Sequence, residues 1–174
     1  MTGQIERLLK TYSNARKSWE SWCYLANFNL KEPNFKVQRE VSRNDLLSHL
    51  RYLALKDFYI EAYKILKDSK NNDDNIFKQL RSFNDSNLTK SLEVEKNLEK
   101  LMQLKEVIKT LCDLRDKFYA HLDKDYENYM YDGLPLQDIL SCFIAIEESI
   151  ITLTSLETIQ MCLDDIPSRN DFSL

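Results

Sequence analysis

The scarcity of turn-forming residues constrains the fold of this chain more than any other feature of its sequence. Only two glycines and three prolines occur among 174 residues. A β-sandwich or a β-barrel needs many tight hairpins, and hairpins use glycine and proline repeatedly. The hydrophobic fraction of 43% supplies enough apolar surface for a core, which excludes a disordered chain. We therefore predict an all-α fold in one domain that spans residues 1–174.

Apolar residues recur at intervals of three and four through most of the chain, the spacing that places them on one face of a helix. The pattern predicts four main helices, over Gln4–Phe28, from a cap at Ser42 to Leu66, over Leu88–Leu122 and from Pro135 to Leu163. A short extra helix is expected around 76–80, and a frayed tail over 168–174. The third helix would be roughly 50 Å long, so we expect a bend, a break or a projecting end. The predicted architecture is an antiparallel bundle.

Charge and cysteine usage exclude several classes of protein. The net charge of −4 excludes a broad basic face for nucleic acid, although a small local site for RNA remains compatible with it. The four cysteines are far apart and form no C-x-x-C pair, so we predict reduced thiols and neither a zinc site nor a disulfide frame. No apolar run approaches about eighteen residues, and we expect a cytoplasmic protein without a membrane span or a signal peptide.

Arg115 occupies a position in the predicted third helix that should be apolar. At 100° per residue it lies about 40° from Leu111, within the stripe that Leu104, Phe118 and Leu122 also form. A guanidinium there needs a partner, must extend to the end of the bundle, or serves a site. Two interpretations stay open. Arg115 forms an ion pair with an acidic residue of a neighbouring helix, or it works together with a second functional residue.

The segment around Arg115 supplies that second residue, His121. Its sequence is Leu114-Arg-Asp-Lys-Phe-Tyr-Ala-His-Leu-Asp123, and it resembles the signature of the HEPN superfamily, in which an Arg and a polar residue precede a His at the end of the third helix. The pattern R-D-K-x-x-A-H-x-D is most similar to the abortive-infection branch of bacterial defence proteins. The resemblance implies a HEPN-like bundle that forms a homodimer and acts as a metal-independent endoribonuclease without a cofactor. It further implies RNA as the substrate and an antitoxin protein as a partner.

The resemblance assigns the chemistry to Arg115 and His121. RNA carries its own nucleophile, the 2′-hydroxyl, so the protein has to move protons and stabilise charge on the phosphate. An imidazole with an ordinary pKa near 6.5 suits general acid and base catalysis near neutrality. A guanidinium offers a permanently charged planar fork for phosphate oxygens.

Four further residues are candidate supporting groups. Asp116 and Asp123 either orient the catalytic pair or solvate the end of the helix, and Asp116 replaces an Asn that is frequent in the family. Lys117 and Tyr126 are candidates for contact with RNA. Tyr126 begins an aromatic stretch that ends at Tyr131, and such rings either stack on bases or pack over the end of the bundle.

The same spacing occurs a second time, at Arg43 and His49. We prefer the later copy because it ends a long amphipathic helix, whereas Arg43 is expected at a helix start. The competing class is a non-catalytic helical interaction module in which Arg115 forms a structural ion pair. A metal-binding four-helix protein is disfavoured, since no predicted helix carries a Glu-x-x-His pair.

Overall fold

A computed structural model describes residues 3–26, 35–69, 71–72, 75–86, 90–116 and 135–164. The regular structure of these residues is entirely helical, as the sequence predicts. The helices are α1 (Gly3–Leu25), α2 (Phe35–Arg43), α3 (Asp45–Leu66), α4 (Ile76–Ser86), α5 (Ser91–Gln103), α6 (Lys105–Leu114), α7 (Leu136–Leu153) and α8 (Leu156–Asp164). No helix in this described part of the chain is long and apolar enough to cross a membrane.

The start of the second predicted helix is wrong by a few residues, because a separate helix precedes it. α2 occupies a segment that looks polar in the sequence, and it buries only Val37 and Val41, one turn apart. Ser42 belongs to α2, where its hydroxyl donates to the carbonyl of Gln38 at 2.6 Å. The N-cap of α3 is Asn44, whose side chain accepts hydrogen bonds from the amides at 46 and 47 at 3.0 and 3.3 Å.

The third predicted helix is interrupted at Leu104, between α5 and α6. The backbone there has φ −87° and ψ 9°, outside helical geometry, although no glycine or proline is present. The break expected from the length of this helix therefore lies near the middle of its predicted span, Leu88–Leu122. Residues after Asp116, where the sequence places the end of the helix, lie outside the described part of the chain.

The fourth predicted helix also consists of two helices, and its predicted continuity to Leu163 is wrong. The backbone of Thr154 has φ −131° and ψ −107°, which ends α7. The hydroxyl of Ser155 then accepts a hydrogen bond from the amide of Thr158 at 3.2 Å, so that serine caps α8. A good cap in the middle of an apolar pattern is the signal that periodicity alone overlooks.

Aromatic rings from three helices form the centre of the core. The ring centroid of Trp19 on α1 lies 5.0 Å from that of Phe58 on α3 and 6.3 Å from that of Phe143 on α7. Phe58 and Phe143 are 5.8 Å apart. All three side chains are buried, and rings at these distances attract each other beyond the area they bury. This cluster fixes the positions of α1, α3 and α7 relative to each other.

A buried polar contact joins α5 to α7. The amide nitrogen of Asn97 donates to the hydroxyl of Thr152 at 2.8 Å, and both side chains are buried. Lys100 and Glu148 form an ion pair beside it at the surface. Because a buried amide costs free energy unless it is paired, this hydrogen bond selects one register of the two helices.

The cysteines give a test of the packing. Cys23, Cys112 and Cys142 are buried, Cys162 is partly exposed, and no disulfide joins them. Burial raises the pKa of Cys112 to about 11 and that of Cys142 to about 12, which keeps both thiols protonated and unreactive. We expect a thiol reagent at mildly alkaline pH to modify Cys162 first, and the other three only after denaturation. Mass spectrometry reads out the order, and native modification of Cys112 at the denatured rate would contradict this packing.

Candidate functional site

Arg115 lies where α6 leaves its regular path. α6 ends at Leu114, the backbone of Arg115 and Asp116 continues as a π-turn, and the amide of Arg115 donates to the carbonyls of both Leu111 and Cys112. Such turns are rare and are frequent at functional sites. The sequence places Arg115 inside an apolar stripe, but the structure places it at the edge of the core, with 30% of its side chain exposed.

Two groups hold the guanidinium of Arg115. Its central carbon lies 4.4 Å from the ring centroid of Tyr63 on α3, a cation–π contact. One terminal nitrogen donates to the carboxylate of Asp116 at 2.8 Å. Among the described residues, Asp116 is the hydrogen-bond acceptor for this guanidinium. The Nε atom of Arg115 is buried and has no acceptor among those residues. The ion pair therefore joins two residues that are adjacent in sequence. The structural interpretation instead expects a partner from a neighbouring helix.

This arrangement leaves the guanidinium able to bind an oxyanion. A guanidinium has five N–H donors in a planar fork that matches carboxylate and phosphate oxygens. One donor contacts Asp116, whose own side chain is 41% exposed. The cation–π contact with the ring of Tyr63 restricts the position of the guanidinium. Among the described residues, the hydrogen bond that an anion at these donors would displace is the one to Asp116, which does not join two helices.

A second cation lies against the same ring. The ammonium of Lys67, at the end of α3, is 5.5 Å from the ring centroid of Tyr63. Lys67 and Arg115 also both favour the thiolate of Cys112, although burial dominates and raises the pKa of that thiol. Two positive groups from different helices thus meet around one tyrosine in a chain with a net charge of −4.

The other residues predicted for this site are not in the described part of the chain. His121, Asp123, Lys117 and Tyr126 all follow Asp116 and precede residue 135. Their proposed roles are therefore predictions from the sequence. Of the six candidate residues, the structure places Arg115 and Asp116, and it brings those two together.

The second copy of the motif has a different setting. Arg43 is the last residue of α2, where the sequence predicts a helix start, and His49 is in the second turn of α3. Both side chains are exposed, and the ring of His49 stacks against that of Tyr52 at 6.4 Å. Because Arg43 and His49 belong to different helices and are both exposed, they serve best as controls.

Tyr63 and Lys67 are site residues that the sequence does not indicate. Their spacing of four residues on α3 is ordinary for a helix, and only the packing of α3 against α6 brings them to Arg115. Among the described residues, no cluster of three or more His, Cys, Asp and Glu side chains is arranged to hold a metal ion.

Comparisons with protein-family models, with curated proteins and with solved structures find no match to this chain.

The contact between Arg115 and Tyr63 can be measured by a double-mutant cycle. Replacing Tyr63 by Leu removes the ring, and replacing Arg115 by Met removes the charge. Because Arg115 is partly exposed, we expect a coupling free energy of roughly 0.5–1 kcal/mol from urea unfolding. Tyr63→Phe keeps the ring and should keep most of the coupling. Equal coupling losses for Tyr63→Phe and Tyr63→Leu would show that the ring face is not what holds Arg115.

Proposed function

We propose that this chain is a metal-independent endoribonuclease of toxin or phage-defence type. In this proposal the helices form a HEPN-like antiparallel bundle. Two copies of the chain form a homodimer, and RNA is cut in the cleft between them. The protein acts in the cytoplasm. The observation that carries the proposal is the partly exposed guanidinium of Arg115, held on Tyr63 and by Asp116 with donors to spare. It stands at the start of the R-D-K-x-x-A-H-x-D segment.

The chemistry needs no added nucleophile. The 2′-oxygen of one nucleotide attacks the adjacent phosphorus, the bond to the 5′-oxygen of the next nucleotide breaks, and a 2′,3′-cyclic phosphate remains. His121 removes the proton of the 2′-hydroxyl or returns one to the leaving 5′-oxygen. Arg115 stabilises the negative charge that accumulates on the phosphate oxygens. Asp116 holds the fork of Arg115 in place until a phosphate competes for it.

The remaining candidates act around this pair. In the proposal Asp123 orients His121, while Lys117 and Tyr126 contact the RNA on either side of the cut. One Arg and one His are few groups for phosphoryl chemistry, and a homodimer with a two-fold axis at the cleft would double them. A toxin of this kind would need an antitoxin protein that covers the cleft.

Substitution at the two catalytic positions tests the proposal. Arg115→Gln should lower the rate of RNA cleavage roughly 10²–10³-fold, because the developing charge loses its cation. His121→Ala should lower it roughly 10²–10⁴-fold, because proton transfer loses its catalyst. Arg43→Gln and His49→Ala are matched controls, since they change the same residue types at exposed positions. Cleavage is followed on a labelled RNA, and the ends of the products are analysed for the cyclic phosphate.

Three results would contradict the proposal. Retention of full activity by His121→Ala would remove the proton-transfer role. Products with 3′-hydroxyl ends would exclude attack by the 2′-oxygen. Loss of wild-type cleavage in a chelator such as EDTA would indicate a metal-dependent reaction.

The first half of α3 favours a second candidate, a helical protein-interaction module. Leu46, Leu50 and Leu53 follow the spacing of one helical face, and all three are exposed, the first by 64%. Leu50 and Leu53 also line a groove between α1 and α3. Apolar side chains that share one exposed face frequently mark a surface for another protein.

A crossed experiment separates the two candidates. The interaction module predicts that Leu50→Glu abolishes growth arrest in cells that express the chain, while His121→Ala changes nothing. The ribonuclease predicts that His121→Ala abolishes it. Leu50→Glu should keep the wild-type thermal midpoint because Leu50 is exposed. His121→Ala should keep it because the proposal gives His121 a catalytic role and no role in the core. Circular dichroism measures both midpoints and controls for folding.

A further inference from the structure

A groove with an apolar floor runs beside the candidate site. It has a volume of about 310 Å³ and lies between the end of α3, the start of α4 and the junction of α5 with α6. Five buried side chains form its floor, namely Leu66, Phe77, Leu101, Ile108 and Cys112. This volume is at the lower end of the range for sites that hold a small organic group.

The rim of this groove is positively charged. It carries the three cations of Lys67, Lys105 and Lys109 against the two carboxylates of Asp68 and Asp113. One carboxylate, that of Asp68, already accepts two hydrogen bonds from Arg81, at 2.7 and 3.1 Å. Lys105 and Lys109 are one turn apart on α6, roughly 6 Å along the helix axis. A chain with a net charge of −4 therefore concentrates cations at the mouth of an apolar groove.

The groove lies next to the site at Arg115. Lys67 belongs to its rim and also lies against the ring of Tyr63, which Arg115 contacts as well. Cys112 belongs to its floor and is in the last turn of α6 before Arg115. A chain molecule whose phosphate is bound by Arg115 would thus have the lysines and the apolar floor directly beside it.

We propose that this groove is the subsite for a nucleotide of single-stranded RNA next to the phosphate that Arg115 binds. Phosphates of the strand pair with Lys67, Lys105 and Lys109, and a base lies on the apolar floor. A nucleotide joins a flat, weakly polar ring to an anionic group, which is the combination that this floor and rim accept. The inference rests on the proposed function in one respect, that the ligand at Arg115 is RNA.

A variant of the groove tests the contribution of its charge. The groove variant combines Lys67→Gln, Lys105→Gln and Lys109→Gln. The probe is a short single-stranded RNA with 2′-O-methyl sugars, which the 2′-oxygen mechanism leaves intact, and binding is followed by fluorescence anisotropy at several salt concentrations. We expect the affinity to fall roughly tenfold or more, and the slope of log affinity against log salt to decrease by about 0.7 for each lysine removed.

The matched control removes the same charge from elsewhere on the surface. It combines Lys10→Gln, Lys36→Gln and Lys96→Gln, three exposed lysines outside the groove. This surface variant should keep the wild-type salt slope. Equal slopes for the groove variant and the surface variant would overturn the proposal.

The base and its source are tested with three further ligands. A probe of the same length without bases should bind more weakly, because it has no ring to lie on the apolar floor of the groove. Inorganic polyphosphate should compete poorly, and competition as strong as that of RNA would show a cation patch and overturn the subsite. A free nucleoside monophosphate should bind more weakly than the strand. Tighter lysine-dependent binding of the free nucleotide would make it the occupant and overturn the RNA subsite.

Failure of this inference is distinguishable from failure of the proposed function. If the groove variant raises KM for cleavage more than it lowers kcat, both stand. If wild-type protein binds the probe through the lysines but cuts no RNA, the ribonuclease fails and the nucleotide site stands. If the groove variant cuts RNA with an unchanged KM, the subsite fails and the ribonuclease stands.

Discussion

The contact among the rings of Trp19, Phe58 and Phe143 determines where α3 lies, and the candidate site depends on α3. The rings are buried and within 6.3 Å of each other, so α1, α3 and α7 cannot shift independently. Five residues beyond Phe58, Tyr63 of α3 lies towards α6. The ring of Tyr63 then meets Arg115 at 4.4 Å. A substitution in the aromatic cluster that moves α3 should therefore also move Tyr63 and change its contact with the guanidinium of Arg115.

Whether the guanidinium of Arg115 can bind a ligand depends on which carboxylate it pairs with. A carboxylate on a neighbouring helix, buried with it, would hold the guanidinium permanently, because breaking such a pair leaves a charge without a partner. Asp116 is instead its neighbour in sequence, in a partly exposed π-turn, and ion pairs that solvent reaches are worth less free energy than buried ones. The cation–π contact with Tyr63 remains when that ion pair opens. In the proposed function, a phosphate therefore displaces Asp116 while Tyr63 still holds the guanidinium.

The sequence predicts the helical class and selects Arg115, but it does not predict what surrounds Arg115. Few glycines and prolines and a regular apolar period are local properties, and they are readable along the chain. The break at Leu104 has no such local signal, and the break at Ser155 has only a capping residue within a continuous apolar pattern. Tyr63 is missed because the packing of α3 on α6 is a tertiary contact between residues about fifty positions apart. His121 lies outside the described residues, so its partnership with Arg115 is still a prediction from the motif.

The most direct test of the central claim is nuclear magnetic resonance of the Arg115 side chain during titration with the uncleavable RNA. The Nε–H group is covered and has no acceptor among the described residues, so its resonance should be well resolved and sensitive to a new neighbour. We expect the Arg115 resonance and the ring resonances of His121 to shift together and to saturate at the same RNA concentration. Saturated binding of RNA with both sets of resonances unchanged would contradict it.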